Sequence, residues 1–557
     1  MGIPYYFKKV SSKFPSTLSS SNGDGCTRLF LDFNCAIHYC SNQLKKELGA
    51  AINNDFEDLL IARVLSYIDF LVTHAQPREL VYISMDGLAP RAKMAQQRNR
   101  RYISAYIKSH IAAECQQTNN DWDSNAISPG TTFMKALSTA ITLHAANMSV
   151  RLILSDTTEV GEGEHKIMNF IKNNAIDNDM PIGDIIYGLD ADLIMLALIN
   201  QCNKGIRLMR EPVFYDDRST TASSAPFVYL DVRMLGNLVR EHIALQHDIH
   251  DAPGIDAIAI YVFLCFFIGN DFLPHLTFIK LQEDGLETLL TMYKKTVNDL
   301  GGEHILQYKY HNNDRKYTIQ FNVLWKLLEI LSTVEDVSFN TVHEKYIKNM
   351  LPKINYDRGT PAQIEARLQQ WPCSQNGKES GHAYRICPHE KGWRINYYHY
   401  LFASMGDVVT DACRNYIQGL QWLVDCYFHH NPQRGWYYKH VYSPTMLDLF
   451  NFLTCEGSKL NETSIRLTYI NNTISIVQSD ELDLQLLCIL PPSSMHLIKP
   501  ELHRLYKDVT KGCVHLFPQQ FGFYSYLKRF LWECHPMIPV PNIVRLRKQI
   551  NLIIHDA

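Results

Sequence analysis

The sequence predicts an α/β protein: a mostly parallel central sheet flanked by helices, followed by a largely helical, aromatic-rich second region. Three observations carry this expectation. Between residues 28 and 275, short β-branched or aromatic runs alternate with longer helical patterns, as strands do when crossover helices join them in parallel. Those runs lead into acidic residues, and the carboxyl ends of parallel strands are where such sheets place ligands. From 393 to 450 the chain turns aromatic, with Trp393, Tyr397, Tyr398, Tyr400, Trp422, Trp436, Tyr437 and Tyr438.

The strand candidates are RLFLDFN (28–34), ELVYISMD (79–86), VRLILSD (150–156) and DIIYGLD (184–190). Helical patterns lie between them, among them Phe56 to Ala75 and Phe133 to Ala146. The longest apolar run, Ala257 to Gly269, has 13 residues. A membrane span needs about 20, so this run is read as a buried helix. Residues 286–350 are mostly helical in pattern, 353–392 read as an irregular insertion rich in Pro, Gly, Asn and charge, and 480–557 as an ordered cap that returns to the body.

Composition narrows the class. Of 557 residues, 46% are hydrophobic and 20% charged, as in an ordinary globular protein. The net charge of -3 supplies no global basic field, so a nucleic-acid partner must be held by a local patch. The 14 cysteines include no CxxC pair, which favours reduced thiols over a disulfide scaffold or a ribbon-type zinc site. Cys373, His382, Cys387 and His389 cluster, but without zinc-finger spacing. MGIPYYFKKV lacks the apolar core of a signal peptide and has Tyr6 where a myristoylation signal has Ser or Thr. The expectation is a soluble intracellular protein with no membrane association. The lack of a long basic import tract favours the cytoplasm over the nucleus.

The acids carry the strongest signal. Asp32 follows RLFL, Asp86 follows VYISM, and Asp190 and Asp192 follow IIYGL as D-x-D. Glu162 and Glu164 lie two apart in GEGEHK after the third strand candidate, and Asp271 follows the apolar run. Residues two apart in an extended segment point the same way, so each pair can enter one site. Gly161, Gly163, Gly188 and Ala191 leave room for a ligand near the backbone. Crowded carboxylates repel one another, and divalent cations relieve that cost. Hard oxygen ligands favour Mg²⁺, with Mn²⁺ as a substitute. Two ions roughly 4 Å apart can activate water and stabilise a leaving oxygen on a phosphodiester. The competing role for an Asp after a strand is helix N-capping. Asp156 is assigned to capping; six acids in four successive strand-end positions, with a seventh in an apolar setting, are not.

GLAPRAKMAQQRNRRYISAYIKSH, from Gly87 to His110, holds six Lys or Arg residues and no acid. Pro90 suits a helix start. Lys93, Gln97, Arg100 and Arg101 then fall at i, i+4, i+7 and i+8 on one face, a site for a dianionic phosphate beside Asp86.

These motifs resemble the Xrn-type 5′→3′ exoribonuclease family. LDFNCAIH, MDGLAPRAKMAQQRNRR, DSNAISPGTTFM, SDTTEVGEGEHKIMNFI, YGLDADLIMLAL and FLCFFIGNDFLPHL look like its first conserved region, in order. YIQGLQWLVDCYFH and GWYYKHVYSP are similar to its second. The resemblance implies a PIN/FEN-like nuclease core over 1–300, a helical connector and insertion over 301–392, and a second conserved region with a C-terminal cap over 393–557 that completes the pocket. It also implies processive hydrolysis of 5′-monophosphorylated single-stranded RNA to nucleoside 5′-monophosphates, by two Mg²⁺ ions, in RNA turnover. Its metal acids fall on Asp32, Asp86, Glu162, Glu164, Asp190, Asp192 and Asp271, and its 5′-phosphate pocket on Lys93, Gln97, Arg100 and Arg101. Bases would stack between His38 and Trp436, although Arg434 stands where the family has a first Trp. A cap or triphosphate is too bulky, so a decapping step comes first. The default assembly is a monomer.

Two rival readings are a flap-type 5′ DNA nuclease with similar metal chemistry and a catalytically silent RNA-binding scaffold. The basic helix and the second region weigh against the first, and the full set of acids against the second.

Overall fold

The computed structural model describes residues 5–555 except 24, 50–54, 116–121, 175–182, 201–204, 213–225, 244–253, 313, 349–358, 371, 373–382, 403–406, 458–464, 466–478 and 508–512. Cys373, His382 and part of the expected insertion (353–358, 371 and 373–382) lie outside the described residues. Within its span, Pro361–Leu368 forms a helix closed by a Thr360–Gln363 capping box.

Among the described residues the sheet has seven strands: β1 (Leu18–Ser19), β2 (Cys26–Asp32), β3 (Pro77–Ser84), β4 (Arg151–Ser155), β5 (Asp184–Tyr187), β6 (Ile206–Arg210) and β7 (Val228–Asp231). Their order is β1-β7-β6-β5-β2-β3-β4. β4, β3, β2, β5 and β6 run parallel, while β7 and β1 close one edge antiparallel. β2 is buried along its whole length, as a central parallel strand covered on both faces must be. The chain steps from β2 outward through β3 and β4, then crosses back to β5 and continues the other way. The β2–β5 boundary is therefore the topological switch point, where the strand ends open a crevice.

The helices that matter for the site are α1 (Tyr6–Lys13), α2 (Phe33–Leu48), α3 (Phe56–Ala75), α4 (Arg91–Cys115), α5 (Thr132–Ala145), α6 (Gly163–Asn173), α7 (Ala191–Ile199), α8 (Val232–Ile243), α9 (Ala257–Cys265), α10 (Gly285–Asp299) and α11 (Phe321–Lys348). The second region adds α12 (Trp393–Leu401), α13 (Asp407–Tyr427) and α14 (Met446–Glu456). The apolar run forms α9 and a 3-10 turn, Phe266–Ile268, and all twelve residues from Ala257 to Ile268 are buried. No helix among the described residues is long and apolar enough to cross a membrane.

Four strands were anticipated, each within a few residues. β2 ends two residues earlier than expected because Phe33 and Asn34 already belong to α2. The short strands β1, β6 and β7 were not anticipated. Neither was the hairpin Leu306–His311 with Asp314–Ile319, which sits inside the segment read as helical.

One apolar cluster runs from Phe30 and Ile186 in the sheet, through Phe263 and Phe267, to Trp422 and Tyr427 on α13. A buried ionic knot fastens the same junction. Glu335 on α11 is fully buried. It accepts from Thr277 (2.9 Å), from the backbone N–H of Met446 (2.7 Å) and Leu447 (3.2 Å), and from Arg394 (2.7 Å). Burial raises its pKa despite these partners. Glu335 thereby ties the loop after Asp271 to the N-termini of α12 and α14. Glu335→Ala leaves the Thr277 hydroxyl and the Met446 and Leu447 N–H groups without their acceptor, while Arg394 keeps Asp336 at 2.8 Å, and is expected to cost roughly 3 kcal/mol in urea unfolding; Glu335→Gln keeps one acceptor oxygen, enough for two of the four donors, and should cost less.

Candidate active site

Because β2, β3, β4 and β5 run parallel, the segments that follow them all open on one edge. Asp32 ends β2, Asp86 follows β3, Glu162 and Glu164 begin α6 after β4, and Asp190 and Asp192 begin α7 after β5. Asp32, Glu164 and Asp190 each present a carboxylate oxygen within 4.8 Å of the others.

Asp32, Glu162 and Asp190 occupy the N-cap positions of α2, α6 and α7, yet none makes a side-chain cap hydrogen bond. Capping therefore does not explain them. Instead, three helix N-termini aim their positive ends at the cluster, which favours ionised carboxylates there. Asp156 differs: its Oδ1 accepts from the N–H and hydroxyl of Thr158, holding a turn.

The loops after β3 and β4 are zipped together. Gly87 N–H donates to Gly161 O (2.9 Å), Gly161 N–H to Leu88 O (3.1 Å), and buried Lys166 to Met85 O and Asp156 O (2.8 and 2.7 Å). Asp86 accepts from Gly163 N–H at 2.9 Å and from Asn34 at 3.2 Å. A Cβ at Gly163 would lie 2.7 Å from an Asp32 oxygen, and one at Gly188 would lie 2.5 Å from Leu193 and 3.4 Å from Asp32. Glycine at both positions is what allows Asp32 to sit between the loops.

Lys93 from α4 enters the cluster, 2.7 Å from Glu162 and 3.6 Å from Asp271. Burial works against its charge, but Glu162, Asp271, Glu164 and Asp86 outweigh that and hold its pKa well above the usual range. Asp271 also accepts from Gln96 at 3.0 Å. Asp192 is hydrogen-bonded by the Tyr427 hydroxyl from α13. Burial and like charges push the acids up: Asp32 to about 7, Glu162 and Asp192 each to about 6, and Glu164 well above the carboxylate range. Among the described residues, one oxygen each of Glu162, Glu164 and Asp192 is buried with no hydrogen-bond partner. Such orphaned acceptors are costly unless something satisfies them. An all-oxygen set of this kind fits a hard divalent cation.

Lys93 thus faces the carboxylates, at the junction with the expected phosphate pocket. Farther along the same helix, Arg101 donates to Ser128 at 2.8 Å and leaves Nη1 unpartnered, and buried Gln97 Oε1 has no partner either. Burial lowers the pKa of Arg100 and takes Arg101, with Arg100 beside it, to about 10. His38 is solvent-accessible yet surrounded by protein, as at the floor of a cleft. Burial, then Arg100 and Arg101, take its pKa to about 4, leaving a neutral ring beside two guanidinium groups.

Trp436 sits near Leu273, two residues beyond Asp271. It is 4% exposed, packed 5.1 Å from Trp422 and within reach of any Cβ at Gly419. Its ring offers little face to a base. Asn34, Gln96, Ser128 and Tyr427 were missed in the sequence. Asn34 and Gln96 adjoin chosen residues and were within reach of a positional argument; Tyr427 lies 156 residues beyond Asp271, and nothing local marks it.

A carboxylate cluster suited to divalent cations, next to a guanidinium pocket at the switch point of a parallel sheet, fits the class of metal-dependent nucleases. The comparisons identify which. Residues 1–212 match the XRN 5′-3′ exonuclease N-terminus, and residues 255–360 and 362–556 match the Xrn1 helical domain. The chain belongs to this exonuclease family. It is 26% identical to 5′-3′ exoribonuclease 2 of Debaryomyces hansenii, over 100% of this chain and 70% of the relative. It is 26% identical to human 5′-3′ exoribonuclease 1 over 100% of this chain and 34% of the relative. With 5′-3′ exoribonuclease 2 of Emericella nidulans it shares 31% over 54% of this chain and 37% of the relative. The chain thus spans only about a third of two of these three relatives.

Because Asp32 has a folded pKa of about 7, its charge penalty is absent below about pH 4 and complete above about pH 7. Asp32→Asn is expected to stabilise the metal-free protein at pH 8 by roughly 2–4 kcal/mol, with little effect at pH 4. Chemical unfolding in EDTA at the two pH values reads this out.

Proposed function

We propose that this protein is a 5′→3′ exoribonuclease that removes nucleoside 5′-monophosphates, one after another, from RNA bearing a 5′ monophosphate. The observation that carries the reading is the adjacency of two opposite charge clusters on α4: Lys93 among the acids, and Arg100 and Arg101 beside His38.

The residues divide the work. Gln97, Arg100 and Arg101 receive the terminal phosphate: Arg101 Nη1 is buried and unpartnered among the described residues, and the Arg100 guanidinium and the Gln97 amide N–H supply further donors. Neutral His38 offers a flat ring to the first base. Lys93, on the same helix, reaches the acids and neutralises part of the charge on Glu162 and Asp271. Asp32, Glu164 and Asp190 would hold divalent cations, Mg²⁺ by the hardness of the donors, with Asp86, Glu162, Asp192 and Asp271 around them. Such ions, when bound, supply an activated water and charge stabilisation for the leaving oxygen. Fixing the terminal phosphate a set distance from the acids makes the first internucleotide bond the one that is cut. A cap or triphosphate exceeds the pocket, so decapped RNA is the substrate and RNA turnover the setting.

A flap-type DNA nuclease shares the acid chemistry. The match of residues 255–360 and 362–556 to the Xrn1 helical domain favours the RNA reading.

With Mg²⁺, matched RNAs carrying a 5′ monophosphate, triphosphate or hydroxyl should be degraded at rates differing by at least tenfold in favour of the monophosphate, yielding nucleoside 5′-monophosphates by chromatography. Equal rates on all three, or preference for flap DNA, would reverse the assignment. Asp190→Ala is expected to reduce turnover by at least a thousandfold while the unfolding transition remains.

A further inference from the structure

Beyond Asp271 the site opens into a cavity of about 930 Å³, which shares Gln96, Arg100 and Asp271 with it. That volume is ample for a nucleotide. Its far wall comes from the segment after α9 and from residues 524–541, and it is cationic. Lys280 and Lys528 both line it, as do His275 and His535. Lys280 donates to Leu527 O at 3.0 Å. Among the described residues, neither ammonium has a carboxylate within ion-pair distance. Glu283 is paired with Lys345 at 2.5 Å, and Glu533 accepts from the N–H groups of Arg529 and Phe530 at 2.7 and 3.2 Å.

Two enclosed ammonium groups side by side oppose each other. Burial, then Lys528, pulls Lys280 down to about 8, and burial lowers Lys528 as well. Burial, followed by Lys528, takes His535 to about 3, so that ring is neutral; its Nδ1 lies 3.2 Å from the Asn99 amide. Glu533, which also lines the cavity, offsets the repulsion between the lysines only in part, and two part-buried cations without a direct ion pair are a standing cost that an anionic ligand removes. At the mouth, Trp532 is 42% exposed and stacks on Phe530 with 13° between ring planes, a platform for a base.

We propose that this chamber is a second nucleotide site, in which Lys280 and Lys528 bind the phosphate of a nucleoside 5′-monophosphate leaving the metal centre. The inference rests on the exoribonuclease reading for the origin of the nucleotide, but its binding chemistry is measurable without turnover. The terminal phosphate pocket and the chamber meet at Arg100, so a released nucleotide passes from one cationic group to the next and clears the pocket for the following phosphate.

The test is equilibrium binding of adenosine 5′-monophosphate to the full chain in EDTA. Two nucleotides should bind per wild-type chain, one in each site. The double variant Lys280→Met/Lys528→Met should retain one, with the second weakened at least tenfold. Lys280→Arg/Lys528→Arg, which keeps the charges, should retain both, and this controls for folding. Under turnover, the Met variant should also be less sensitive to product inhibition. Unchanged stoichiometry and affinity in the Met variant would overturn the proposal. So would a variant that keeps both nucleotides but loses affinity for a short RNA, because the chamber would then serve the strand. Loss of RNA hydrolysis in the wild type, with both nucleotides still bound, would count against the exoribonuclease reading alone.

Discussion

Seven carboxylates from distant parts of the chain, six delivered by the ends of β2, β3, β4 and β5 and Asp271 by the segment after α9, meet at one edge of the sheet, and their mutual repulsion governs what surrounds them. Parallel strands deliver all their C-terminal ends to one edge, so the fold itself forces the acids together. Three features make that tolerable. The N-termini of α2, α6 and α7 converge on the cluster. Lys93 reaches in from α4 to Glu162 and Asp271. Gly163 and Gly188 clear the space around Asp32. The charge that remains uncompensated is visible in the raised pKa of Asp32, Glu162, Glu164 and Asp192. A protein that spends stability on such a site is holding it ready for cations.

The second region reaches the site from outside the sheet. Tyr427 on α13 bonds Asp192, and the apolar cluster carries that helix onto α9 and the sheet. Glu335 links the loop that follows Asp271 to α12 and α14. The long helix α4 then serves three neighbours at once. Lys93 goes to the acids, Arg101 to Ser128, and Arg98 donates to Cys488 O and Leu516 O in the C-terminal part. Each role uses a different residue of one rigid element, so the separation between the acids and the guanidinium pocket is set by helical rise rather than by a loop.

Much of this was legible in the chain because periodicity and strand-end acids are local signals. RLFLD, VYIS and IIYGLDAD show strand and site together, and their parallel arrangement follows from the helices between them. The short strands Ile206–Arg210 and Val228–Asp231 escaped notice because four or five residues do not establish a period, and pairing at a sheet edge is a long-range fact. The fate of Lys93 escaped for a different reason. Helical spacing puts it on a face with Arg101, but which neighbour it meets depends on where Glu162 and Asp271 are delivered from other elements. Trp436 shows the limit of motif reasoning: its position in GWYY does not reveal that Trp422 packs against its ring.

The most direct measurement is calorimetric titration of Mn²⁺ into the metal-free protein at pH 8 and pH 5.5. If the acids form a shared cation site, binding will saturate at two ions per chain at pH 8, weaken by at least tenfold at pH 5.5 as Asp32, Glu162 and Asp192 take up protons, and vanish in Asp32→Asn/Asp190→Asn. Saturable binding that ignores pH, or that survives in the double variant, would place the cations elsewhere and contradict the account.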